Sequence, residues 1–409
     1  MRLSIVTFGS EGDTRPLAAL CRGLVDQGHQ PTLFAEHSTL DLPRRLGIPC
    51  VALSGDVRSI LPLADPRQDL RIADVVKSIK ATNALIATNT PSWVRTVAEH
   101  AREADAIAFS SLAVGLGAAL SEQLGKPAVG LFFQPVTATR EFSSPMVPPM
   151  NLPGWLKRQT FRLTHRHMWS AYGKPAQLAC TEMFGRSANR QRIEFDHAML
   201  YGVSSELVPQ PQDWPQQHQI CGHWAHDTHA AWQPPPALQE FLQQGEAPLY
   251  AGFGSPSAFI RSKELTALIG GVAGRRVIFS PGWSQIDSSV LPSNFFIARD
   301  VPHEWLFPQV SAVIHHGGAG TTHTAARAGV PQIVLPIGGD HHFWASRVVA
   351  RGIAPRAGRG DRHNAKAIAA MIEFTMREDV RHKARQLGDA MSREDGVTTA
   401  IRAMERVVH

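Results

Sequence analysis

Cysteine is scarce in this 409-residue chain, and the four present, Cys21, Cys50, Cys180 and Cys221, lie far apart with no C-x-x-C. That excludes a disulfide framework and a cysteine-based zinc site, and it suits a reducing cytoplasm. Long apolar runs are missing too: none approaches the roughly 20 residues that a membrane helix needs. Leu3 to Phe8 reads as a short strand, too short for an export signal. The chain also lacks the two commonest phosphate motifs, the dinucleotide G-x-G-x-x-G and the P-loop with its Lys and Ser/Thr. What is present is 43% hydrophobic residues with 19% charge, a globular balance. The length exceeds the roughly 250–300 residues of a single core, so two domains are expected. The net charge of +6 points to an anionic ligand as part of its explanation.

The chain repeats its own opening. Leu3 to Phe8 reads as a buried strand ending at Gly9-Ser10, followed by a helix from about Pro16 to Gln27 closed by Gly28, then a strand from Pro31 to Ala35. The second half begins in the same way, with a strand from Leu249 to Phe253, a helix from Lys263 to Val272 and a strand from Val277 to Ser280. Such βαβ openings require parallel sheets, with a ligand crevice at the strand carboxyl ends. Gln233-Pro234-Pro235-Pro236 reads as a stiff linker. The fold class is therefore α/β. The divisions expected are a first domain over 1–225, a linker over 226–246, a second domain over 247–380, and a C-terminal segment over 381–409. The pattern from Asp379 to Val407 reads as one long amphipathic helix.

Ser311 to Ala350 is the most informative stretch. The apolar run Ala312-Val313-Ile314 enters His315-His316-Gly317-Gly318-Ala319-Gly320-Thr321-Thr322, a helix closes on Gly329, and a second strand leads to Gly338-Gly339-Asp340-His341-His342. Glycines let backbone N–H groups approach an anion, and a helix N-terminus favours negative charge, so this is the chemistry of a phosphate site.

That order of histidine, small-residue loop, helix, strand and acidic turn resembles the donor segment of family 1 nucleotide-sugar glycosyltransferases. The nearer likeness is to the branch of sterol and lipid glucosyltransferases and glycopeptide-antibiotic glycosyltransferases. Gly9-Ser10-Glu11-Gly12-Asp13-Thr14-Arg15-Pro16, Tyr201 to Trp224, Tyr250 to Ser255 and Val301 to Phe307 resemble four further segments of that family, so the likeness spans nearly the whole chain. It implies the GT-B architecture, two doubly wound Rossmann-like domains facing across a cleft, with the C-terminal helix returning to the first domain.

The resemblance also assigns roles. Asp13 is expected to be the general base, with capping of the following helix as a compatible second role. His315 is assigned to the α-phosphate, and the backbone of Gly317, Gly318, Ala319 and Gly320 with the Thr321 hydroxyl to the β-phosphate. His316 is read as packing, because strand alternation points it to the other face. Ser255 is a further diphosphate contact. Asp340 is expected on the sugar hydroxyls, next to His341, where glucose-using relatives carry Gln. Val301 and His303 would meet the base edge through backbone, and Trp283 would lie near the base, since Asp300 stands where many relatives stack a Trp. No metal or other cofactor is expected.

Phe132, Met146 and Met150 are the candidates for an apolar acceptor pocket suited to a sterol, polyketide, flavonoid or lipid. His223-x-x-His226-x-x-His229 has metal-like spacing but no helix to align its rings, and no metal is assigned there. The basic stretch 155–192 reads as a solvated face or a peripheral membrane contact, and not as a nucleic-acid module. The expected activity is inverting transfer of a hexose, glucose first, from a UDP-sugar. A nucleotide-sugar epimerase of the same fold, or a non-catalytic auxiliary protein, are the alternatives.

Overall fold

The computed structural model describes residues 1–60, 72–186, 195–225, 232–254, 262–282, 290–358 and 360–408. Alternation gives way to continuous apolar runs in the strands, as befits sheets covered on both faces. β1 (Arg2–Val6), β2 (Gln30–Glu36), β3 (Cys50–Leu53), β4 (Ala106–Phe109), β5 (Ala128–Phe132), β6 (Ala198–Tyr201) and β7 (His218–Ile220) form one sheet, ordered β3-β2-β1-β4-β5-β6-β7. β8 (Leu249–Gly252), β9 (Val277–Ser280), β10 (Phe295–Ile297), β11 (Ala312–His315) and β12 (Gln332–Val334) form the other, ordered β10-β9-β8-β11-β12. Each neighbouring pair is parallel.

Two compact units hold these sheets. One is built from Met1–Leu61, Val75–His226 and Asp395–His409, the other chiefly from Asp227–Glu394. The first has a core of Val6, Phe8, Phe34, Trp93, Val97 and Leu116. In the second, Leu249, Ala251, Phe279, Ile314 and Ile333 fill one face of the sheet, and Tyr250, Ile278, Phe307 and Val313 the other.

Two boundaries differ from the sequence reading. The first helix starts at Glu11, not near Pro16, because Ser10 caps it and Pro16 is tolerated inside it. The C-terminal pattern is two helices, Glu378–Ser392 and Gly396–Val408, and not one. The break is explained by where each is seated. Gly388 lies against Gly329, where a Cβ would come within 2.8 Å of backbone, so the first helix stays with the second unit. Gly396 lies against the Gly222 carbonyl, where a Cβ would come within 2.6 Å, and Val397 packs onto Gly23. The return to the first unit therefore begins at Asp395 rather than at 381. No described helix is long and apolar enough to cross a membrane.

Candidate active site

In an open parallel sheet, ligands gather beyond the strand carboxyl ends where the winding reverses. The first unit reverses between β1 and β4, the second between β8 and β11.

At the first reversal, Val6 lies beside Phe109. Beyond β1 the chain runs through Gly9, at φ 144, to Ser10 and the helix Glu11–Asp26. Asp13 takes the third position of that helix and completes a capping box: its Oδ2 accepts the Ser10 N–H at 2.9 Å, and the Ser10 hydroxyl accepts the Gly12 N–H at 3.3 Å. A Cβ on Gly9 would fall 2.3 Å from Asp13 Oδ2, so glycine is required there. From β4, the Ser111 hydroxyl donates to Asp13 Oδ1 at 2.5 Å. The cap and a half-buried position beyond the strand ends thus coexist in one side chain.

At the second reversal, His315 lies beside Gly252. Its ring is fully buried and spent: one nitrogen pairs with Gln332 Oε1 at 2.9 Å, and Nδ1 accepts the Gly317 N–H at 3.1 Å. Gln332 in turn donates to the Thr322 carbonyl at 3.1 Å. Burial pushes the imidazole down to about 4, so it is neutral. No ring nitrogen of His315 remains for a phosphate, which corrects its assignment. As the last strand residue it shares the face of Val313 and points into the core.

His316 follows the strand end, and strand alternation no longer governs it. A Cβ on Gly254 would meet its Cε1 at 3.1 Å, and one on Gly318 its Nε2 at 2.5 Å. Its ring meets His341 edge-on at 4.7 Å, and its buried Nδ1 has no hydrogen-bond partner among the described residues. Burial, then the neighbouring His341, His315 and His303, holds it well below the usual imidazole range. The sequence reading of His316 as packing agrees with its burial, but the face it takes is set by the glycine loop it opens and not by strand alternation.

The helix Ala319–Arg327 begins beside it with Gly318 as an extended N-cap and no side-chain cap. Its first N–H groups therefore lack the usual side-chain oxygen. A Cβ at Gly320 would meet no protein atom within 4 Å, whereas one at Gly317, at φ 97, would strike the His341 carbonyl at 2.9 Å. The Thr322 hydroxyl bonds back to the Gly318 carbonyl at 2.8 Å, and Thr321 is half-buried at the third helical position.

Asp340 heads the next helix, His341–Ala350. The buried Trp344 indole donates to its Oδ2 at 2.7 Å, and burial raises the carboxyl above its ordinary value. His341 Nδ1 accepts the Gly338 N–H at 3.2 Å, which shapes the turn before Asp340. Burial, then His342, lowers His341 to about 4, so its proton sits on Nε2. The side chain of His303 is tied to the Tyr250 hydroxyl at 2.9 Å and stacked on Phe307 at 4.5 Å, and Val301 packs against the same cluster. Asp300 holds a left-handed φ of 54.

Phe132 is only 2% exposed and meets Phe195 edge-on at 6.2 Å, so it belongs to the core and does not line an open acceptor surface. Met146 and Met150 are each 48% exposed. Ser255 and Trp283 lie outside the described residues, as do His226 and His229 of the histidine triplet and Arg190 and Arg192 of the basic stretch. Among the described residues no group of three or more His, Cys, Asp or Glu could hold a metal ion.

Comparison with known proteins agrees with this geometry. Residues 264–405 match the model of the erythromycin biosynthesis protein CIII-like C-terminal domain. O-mycaminosyltylonolide 6-deoxyallosyltransferase from Streptomyces fradiae is 30% identical over 427 residues, covering 98% of this chain and 96% of that protein. A sterol 3-beta-glucosyltransferase from Arabidopsis thaliana is 27% identical, covering 99% of this chain and 68% of its own length. The solved glycotransferase of kitacinnamycin superposes with a TM-score of 0.73 at 17% identity, covering 99% of this chain and 98% of its own, which speaks to the fold alone. Its neighbours are GT-B glycosyltransferases, and the two sheets found here have the corresponding Rossmann-like windings. Kinship sustained over almost the full length of both chains makes this protein an enzyme, a family 1 glycosyltransferase of the GT-B fold.

Proposed function

We propose that this glycosyltransferase inverts the anomeric carbon as it moves a hexose, glucose first, from a UDP-sugar to a hydroxyl of a hydrophobic acceptor. Sterol, polyketide, flavonoid and lipid acceptors share the required chemistry. The observation that carries this reading is the uncapped helix N-terminus at Gly318 beside the unpartnered Nδ1 of buried His316. Asp13 takes the acceptor's hydroxyl proton, the acceptor oxygen bonds to the anomeric carbon, and the bond to phosphate breaks with its electrons leaving on the diphosphate. The N–H groups of Ala319, Gly320 and Thr321 and a neutral His316 donating through Nδ1 would hold that charge. This chemistry calls for no metal, since helix and histidine supply the stabilisation.

Asp340, fixed through Oδ2 by Trp344, would offer Oδ1 to the sugar hydroxyls, with His341 Nε2–H alongside. Val301 and His303 would meet the base edge through backbone, with Ser255 and Trp283 as further donor contacts. Met146 and Met150 belong to the acceptor side.

A peripheral contact in the cytoplasm with an anionic membrane accompanies this reading. The helix Gly154–Met168 contains no acid, and on its exposed arc Trp155 and Leu163, 62% and 63% exposed, interleave with exposed Arg158, Arg162 and Arg166.

Nucleotide release from UDP-glucose, UDP-galactose and dTDP-glucose, with and without cholesterol or a macrolide aglycone, tests the function. Acceptor-dependent release that Asp13→Ala abolishes, while donor still binds, is the expected result. Conversion of donor to an epimer without acceptor would make the protein an epimerase instead. Donor bound but never consumed would make it an auxiliary protein.

A further inference from the structure

We infer that Ser111 is the positioning residue that makes Asp13 an available base and not only a helix cap; the inference rests on the general-base reading of Asp13 given above. An acid at the third position of a serine-capped helix ordinarily folds back onto the cap, and Asp13 does so with Oδ2. The orientation of Oδ1 is then set by Ser111, whose hydroxyl reaches it at 2.5 Å from the other strand of the reversal.

The backbone of Ser111 is bent to that purpose. Its φ is 49, a left-handed value that a residue with a Cβ holds only when its surroundings impose it. The surroundings are fixed on both sides: the Ser110 N–H donates to the Val6 carbonyl at 2.9 Å, and the Ala113 N–H to the Ser110 carbonyl at 3.0 Å. Among the described non-glycine residues only Ala273 and Asp300 share a positive φ.

A second irregular backbone lies within the electrostatic reach of the same carboxylate. Trp169–Gly173 is a π-helical segment, a distortion that recurs at functional sites. Burial first, then the charge of Asp13, pushes its Tyr172 hydroxyl up to about 12. Only glycine fits at Gly115, just past the Ser111 turn, because a Cβ there would come within 2.2 Å of the Tyr172 carbonyl. The groups that act on Asp13 include Ser10 from its own cap, Ser111 from the turn after β4, itself in contact with Ser110 at 3.3 Å, and Tyr172 from the π-segment. Glu11 and Arg15 on the Asp13 helix pair with each other at 2.8 Å.

A hydroxyl donating to Oδ1 favours the ionised carboxylate and fixes its rotamer. Its removal therefore raises the Asp13 pKa and frees the side chain. The test uses Ser111→Ala and Ser111→Gly, the second of which relieves the left-handed backbone. The Asp13 carboxyl is titrated by ¹³C NMR in aspartate-labelled protein, with its signal assigned by Asp13→Asn. The pH profile of kcat is measured with UDP-glucose and cholesterol or a macrolide aglycone.

In both variants the Asp13 titration and the acidic limb of kcat should move to higher pH, and kcat should fall on the order of tenfold. KM for UDP-glucose should change little, and Ser111→Gly should melt no lower than Ser111→Ala. An unmoved Asp13 titration in both variants, or a loss confined to thermal stability, would overturn the inference. If Asp13→Asn is as active as wild type, the general-base reading itself falls; if Asp13→Asn is dead while the Ser111 variants behave as wild type, only this inference does.

Discussion

The two units answer one structural question in opposite ways. Each has a strand that ends at a winding reversal and feeds a helix whose N-terminus points its free N–H groups at the crevice. In the first unit that terminus is closed by the protein itself, with Ser10 as cap and the Asp13 carboxylate at the third helical position. In the second the cap is Gly318, with no side chain to offer, and the third position is Thr321. The same partial charge meets a side-chain cap in one unit and none in the other, which under the proposed function leaves it for the donor's diphosphate. A single exchange of acid for hydroxyl at the third helical position thus separates the two termini, and under the proposed function it separates the unit that carries the base from the unit that would receive the phosphate.

Asp13→Asn should break the comparison most deeply. It keeps a side chain able to cap, yet removes the base, so kcat should drop by roughly 10²–10⁴ with donor affinity unchanged, read by steady-state kinetics beside calorimetric titration. Next come the adjacent histidines. His316→Ala should weaken UDP-glucose binding by ~10–100-fold, the loss of one hydrogen bond to a charged group. His315→Ala should instead lower stability by about 1–3 kcal/mol through the orphaned Gln332 amide, read by denaturant melts. Equal effects on donor affinity would show that the two histidines have been told apart wrongly.

Thr321→Asp would convert the second unit to the plan of the first. Its carboxylate should keep the helix intact while competing with the diphosphate, weakening donor affinity by about tenfold and leaving thermal stability level or slightly raised. Acid should separate the units more gently. His315, His323 and His341 are each lowered to about 4 by burial, all in the second unit. The unfolded chain binds protons at these sites below about 6.5 while the folded chain does not, so the stability they confer is complete above that pH and is lost from there down toward 4. The first unit has two lowered histidines, His165 and His218, among those described. Melts followed between pH 7.5 and about 5 should therefore show the second unit unfolding at lower temperature first. The smallest effect belongs to the exposed arc of the helix Gly154–Met168. Replacing Arg158, Arg162 and Arg166 with Gln should lower sedimentation with phosphatidylglycerol vesicles by about 1 kcal/mol per charge, without changing binding to phosphatidylcholine vesicles.

The paired βαβ openings, the glycine loop and Gly329 as the helix stop were all readable along the chain, because each is a local matter of apolar periodicity or of a backbone angle that only glycine adopts freely. Which histidine has its ring occupied was not. His315 and His316 are neighbours of one residue type, and Gln332 on β12 captures His315 while His316 stands beyond the strand end. Phe132 was misplaced for a similar reason: an aromatic at a strand end is core or pocket according to whether something such as Phe195 covers it. Ser111 carried no motif, since its hydrogen bond to Asp13 spans 98 residues and is set by strand order. The sequence by itself determined the two-unit α/β plan, the family and the glycine loop, for these rest on nearest-neighbour chemistry. Only the tertiary structure decided which partners the side chains at the winding reversals take, because packing brings those partners from distant parts of the chain.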